Sequence, residues 1–165
     1  MTTKADAVRQ TLLIDRLADL GPGSPNLAVK PLLVSLTPAD VAPGHQDADM
    51  ARAALAGLWL LHDFLDESHT LSQEIDTPTG SFWHAVMHRR EPDPANSKYW
   101  FRCIGNHPVV PRLAAECPAV GYAYTTPFDF VDFCERVRGT GSADEELAKR
   151  VQLLEWKLLF AHCLG

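Results

Sequence analysis

The chain has 165 residues, 46% of them hydrophobic and 22% charged, which excludes wholesale disorder, a collagen-like chain and a disulfide miniprotein. Its longest apolar run, Ala53 to Leu61, is too short for a membrane span, which needs roughly 18 residues. The net charge of −6, with no basic run beyond Arg89-Arg90 and Lys149-Arg150, argues against nucleic acid or an acidic membrane as partner.

In chain order, Ala5, Val8, Leu12, Leu13, Leu17 and Leu20 recur at three- and four-residue intervals. They predict one amphipathic helix over residues 5–20, closed by Gly21-Pro22-Gly23. Residues 21–48 contain Pro22, Pro25, Pro31, Pro38 and Pro43 and read mostly as loop. An extended or single-turn piece is expected at 27–36, and a short helical turn where Thr37-Pro38-Ala39-Asp40 combines an N-cap, a first-turn proline and an acid. Residues 49–66 form the most apolar helix, buried nearly all round and polar on one side of its last turn, at His62, Asp63 and Asp66.

Caps announce the later helices. Asp93-Pro94 opens one over 94–104, and His107-Pro108 a short one to about Glu116. Thr126-Pro127-Phe128-Asp129 opens one closed by Gly139, and the capping box Ser142-Ala143-Asp144-Glu145 opens a last helix to about Cys163. Val120–Tyr124 reads as a short extended piece. The expectation is an all-α protein, a single globular domain over residues 1–165 of about seven helices, with a proline-rich loop after the first. Cys103, Cys117, Cys134 and Cys163 lack a C-x-x-C pair and read as reduced, mostly buried small hydrophobes. The N-terminal residues show no apolar signal region, so the expected location is the cytoplasm.

Five of the seven histidines fall between residues 62 and 107. His84 and His88 are one helical turn apart, with Glu91 extending the stripe. Two imidazoles and a carboxylate are the complement of a catalytic zinc site. Against this, the glutamate of H-E-x-x-H is missing, and Glu91 precedes Pro92, which biases it out of helical geometry. Phe82, Trp83, Val86 and Met87 define the buried stripe of this helix, which turns His84 and His88 toward solvent or a cleft. His62-Asp63 is also the dipeptide of metal-dependent phosphohydrolases, but that chemistry needs a further upstream histidine, and His45 lies in the proline-rich loop. A plainer role for His62 is a hydrogen bond to Asp66. Ser68 reads as an N-cap with His69 beginning the next turn.

Lys98 and Arg102 share a helix face and, with Arg89 and Arg90 upstream, could hold a carboxylate or phosphate. Alternatively, these cations pair with Asp66 or Glu67. No nucleophile elbow and no glycine-rich phosphate loop is present.

The segments LHDFLDESHT, GSFWHAVMHRREPDPANSKYWFRCIGNHPV and EWKLLF resemble a family of uncharacterised bacterial proteins, from about Leu60 onward. The resemblance implies no activity and transfers no site residue. The residues themselves suggest a small, anionic ligand bound among His62, Asp66, His69, Trp83, Arg89, Lys98, Arg102 and His107. One alternative is a metal-dependent hydrolase using a divalent ion such as zinc on His84, His88 and Glu91. Another is a non-enzymatic helical interaction module whose polar network only fixes the packing.

Overall fold

A computed structural model describes residues 3–165 of the chain; Met1 and Thr2, the start of the segment read for a signal, lie outside them. Ten α-helices make up the regular structure together with short π and 3-10 turns, and the described residues contain no strand. The first is α1, Lys4–Ala7, which carries a capping box from Thr3 and Asp6 and runs into a π turn over Val8–Leu12. The predicted helix over 5–20 therefore ends at Leu12. The reason lies in tertiary contacts: Leu12 and Leu20 are buried, whereas Ile14 and Leu17, on the same predicted helix, are exposed. The stripe is used as two separate anchors of an irregular segment.

The proline-rich region holds more helix than expected. A 3-10 turn over Leu27–Val29 leads into α2, Lys30–Ser35, and α3, Pro38–Val41, follows at the expected helical turn, with Thr37 and Asp40 forming a capping box. These one- and two-turn helices raise the number above the seven expected. The apolar helix, α4, spans Ala48–Leu61 and stops earlier than predicted. Asp63 follows in left-handed geometry, φ 66°, the conformation that commonly terminates a helix. Its carboxylate lies where a Cβ on Gly23, itself at φ +67°, would approach to 2.7 Å, so both glycine properties are needed there.

The remaining helices are α5, Leu65–Ser72; α6, Pro78–Arg90; α7, Pro94–Arg102; α8, Val109–Glu116; α9, Pro127–Val137; and α10, Ala143–Leu164. Instead of the expected extended piece at Val120–Tyr124, a 3-10 turn over Cys117–Val120 precedes an irregular link to α9. Ser68 lies inside α5 and is not an N-cap. No helix among the described residues is long and apolar enough to cross a membrane.

At the centre is α6. Thr77 caps it, accepting a hydrogen bond from the Gly80 N–H at 3.1 Å, with Pro78 in the first turn. Every residue from Thr79 to Arg90 is buried, because α4, α5 and α7 pack around it and α10 closes the remaining side. Trp83 sits on Gly57 of α4, where a Cβ would come within 2.6 Å of the indole. Its Nε1–H points to Cys163 Sγ at 3.4 Å, and Trp156 packs beside it while donating to the Gly57 carbonyl at 2.7 Å.

Two buried ion pairs hold the end of α6. Arg89 makes a two-pronged contact with Glu155 on α10, at 2.6 and 3.1 Å, donates to Gln152 at 3.2 Å, and lies over the Phe130 ring at 4.6 Å. Burial alone would lower the pKa of Arg89; Glu155 beside it outweighs that and raises it. Arg90 turns the other way, to Asp63 and the carbonyls of Leu60 and Gly21. Removing one member of such a pair strands the other charge in a dry interior. Glu155→Leu is therefore expected to destabilise the protein by about 3–5 kcal/mol in urea denaturation. Arg89→Met combined with Glu155→Leu should recover most of that loss; a double variant as unstable as the single one would contradict this account.

Candidate functional site

The structure disperses most of the residues expected to line an anion pocket. Arg89 is fully buried on Glu155, and Trp83 is a core side chain, because α6 is covered on all sides. Lys98 pairs with Asp132 of α9 at 2.6 Å, not with Asp66 or Glu67, since α7 packs against α9. Arg102 is exposed beside Tyr99. His62 makes no hydrogen bond to Asp66: its Nε2–H donates to the Leu12 carbonyl at 3.0 Å, and Nδ1 accepts from Asn26 Nδ2 at 3.2 Å. His107 is likewise internal. Its Nδ1 accepts the Val109 N–H at 3.3 Å, so Nε2 carries the proton and donates to Thr79 Oγ1 at 3.1 Å. Both histidines fix loops to helices.

What the fold does bring together is His69, His84 and His88. Packing of α5 against α6 places one nitrogen of each within 4.8 Å of the others, close enough to converge on a metal ion. His84 and His88 stack with centroids 4.7 Å apart, and His69 lies 4.8 Å from His84 and 5.3 Å from His88. Of the two surroundings expected for the α6 histidines, solvent or a cleft, open solvent is not what they meet: His84 is 3% and His88 8% exposed. The opposite side of His84 is covered by the Trp100 indole of α7, stacked at 4.0 Å. His69 is half-buried and forms the open edge of the cluster.

The nitrogens differ in what they touch. His88 Nδ1 donates to Glu91 Oε2 at 2.7 Å, which leaves Nε2 as the nitrogen turned away from the carboxylate. Glu91 keeps helical dihedrals, φ −58° and ψ −35°, despite preceding Pro92; its N–H bonds to the Met87 and His88 carbonyls outweigh the local bias. Asp93 also comes near His88 and Glu91, but its oxygens receive the backbone N–H and side-chain amide of Asn96 as the cap of α7. His84 is the exception: both ring nitrogens are buried and neither has a hydrogen-bond partner. Burial, then the proximity of His88 and His69, pushes its pKa down to about 3, so the ring is neutral at physiological pH. A neutral imidazole with a free lone pair is the form that binds metal.

Helical spacing groups His84, His88 and Glu91, whereas His69 is expected among the ligand-binding residues. His69 lies on another helix, across the turn joining α5 to α6, so no spacing rule points to it. The density of histidine in this stretch was its only signal. No protein-family model, curated protein or solved structure matches the chain.

Three buried histidines have depressed pKa values: His62 by burial foremost, His84 to about 3, and His107 to about 4 through burial and then His162. The unfolded chain takes up these protons near pH 6.5, the ordinary histidine value, while the folded protein does so only at lower pH. The stabilisation is present above that pH and is lost as pH falls toward 4 and below. The urea midpoint should decline steadily from pH 7 to pH 4, and less steeply in His107→Gln; a flat profile would contradict these assignments.

Proposed function

We propose that His69, His84 and His88 bind a divalent metal ion such as zinc, with Glu91 orienting His88, and that the protein is a metal-dependent hydrolase. The observation that carries this reading is His84, a buried neutral imidazole whose two nitrogens have no partner. A buried polar group left unpaired costs about 1–3 kcal/mol, and metal coordination compensates for such a group at one nitrogen. The His88–Glu91 contact matches the carboxylate–histidine arrangement that fixes the tautomer of a metal ligand and raises its basicity. Three histidines leave a fourth position open, as in catalytic rather than structural zinc sites. A zinc ion held by these three imidazoles would supply Lewis acidity, lowering the pKa of a water to about 7 and so favouring hydrolytic chemistry.

Protein dialysed against zinc should retain close to one equivalent by elemental analysis, and zinc should raise its melting temperature, since only the folded chain holds the ion. His69→Ala, His84→Ala and His88→Ala should each abolish retention, and Glu91→Gln should weaken it by about 10–100-fold. The His69 variant is the critical one, because the helical pair alone would not need it. His84→Leu should lose zinc without losing metal-free stability, since it removes an unpaired buried ring. Failure to retain zinc, cobalt, nickel or manganese, with no thermal shift from any of them, would overturn the reading.

A further inference from the structure

A cleft of about 450 Å³ opens between residues 22–30 and the start of α5; none of the three histidines lines it, and Glu91, the partner of His88, forms part of its wall. Glu91 is thus shared: one carboxylate oxygen holds His88, and the residue borders the space where a substrate can enter. The floor is apolar, built by Leu27, Phe64 and Leu65 with flanking prolines. Leu27 is 69% exposed there, a large apolar surface left open.

The charges in the cleft differ from those the sequence suggested. Arg89 and Lys98 are engaged elsewhere, so the only cation in its wall is Lys30. The carboxylates are Asp63, Asp66, Glu67 and Glu91. Asp63 is neutralised by Arg16 at 2.8 Å and by Arg90. Glu67 faces Lys30 only loosely, at 3.8 Å. Lys30 itself shows what this wall favours: its ammonium lies 5.5 Å from the centroid of the Phe64 ring, with the Glu67 carboxylate on its flank. An anion entering here would meet Asp66, Glu67 and Glu91 against one lysine.

We infer that this cleft is the substrate site of the metal centre and takes a small molecule carrying an ammonium group on an apolar body. Asp66 and Glu67 hold the ammonium, the apolar floor takes the body, and the reacting end points along Glu91 toward the histidines. The inference rests on the metal reading for its chemistry and on the cleft alone for its binding.

Phenethylamine is the probe, with 2-phenylethanol as its uncharged counterpart and 3-phenylpropionate as the anionic one, each titrated into zinc-loaded and metal-free protein and followed by amide chemical shifts. Phenethylamine should saturate, perturbing residues 64–67 and 27–30, at least about tenfold more tightly than the alcohol, a difference of about 1.4 kcal/mol. The carboxylate should not bind. Asp66→Asn with Glu67→Gln, both on the rim of the cleft, should reduce the preference for amine over alcohol to within about threefold while leaving the melting temperature unchanged. Equal binding of all three probes, preference for the carboxylate, or no saturation by any of them overturns the inference. Zinc retention without amine preference overturns it alone and leaves the metal reading standing. Amine preference without zinc retention sustains the ligand class and overturns the metal reading.

Discussion

Adjacent arginines at the end of α6 turn to opposite sides, and both are fully buried. Arg89 reaches α10 through Glu155; Arg90 reaches the end of α4 and the segment before α2 through Asp63 and backbone carbonyls. Such pairs contribute little net stability compared with apolar packing, because two charges must leave water. What they impose is position, since neither guanidinium has another place to satisfy its charge. His88 precedes this pair and Glu91 follows it, so the rotation and axial register of α6 that aim the histidines at α5 are set by the same two contacts.

This rigidity lets α6 carry an uncompensated polar group. His84 is enclosed by Trp100, His88 and His69, and none of these offers its nitrogens a hydrogen bond in the structure. In a loosely packed helix such a ring would turn to solvent. Here the α7 indole on one side and α5 on the other keep it in place, neutral and with lone pair available. Under the proposed metal reading, a fixed backbone, an orphaned imidazole and a carboxylate behind a second imidazole would hold the site ready for an ion.

Charge is partitioned between interior and surface. The cations nearest the site are engaged in packing: Arg89 and Arg90 in the core, Arg16 on Asp63, and Lys98 on Asp132. The cleft bordered by Glu91 is left with carboxylates, one lysine and an apolar floor. Those carboxylates make the mouth of the cleft more favourable to cationic than to anionic groups.

Local chemistry in the sequence determined the helical class and most of the later helix starts, because a cap at Asp93, Thr126 or Ser142 depends only on residues within one turn. The same locality put His84, His88 and Glu91 on one face, a consequence of helical periodicity alone. It failed where a segment's partners lie far along the chain. The stripe from Ala5 to Leu20 has helical spacing, yet Leu12 and Leu20 are buried within an irregular path that leaves Leu17 exposed. Whether Arg89 was a ligand or a core residue depended on Glu155, and whether Lys98 faced the site depended on Asp132. His69 became the third imidazole only through the packing of α5 on α6, and His84 lost access to water only when Trp100 arrived from α7. Periodicity decides which side chains share a face of one helix; which face meets which is decided by long-range burial, and that belongs to the tertiary structure alone.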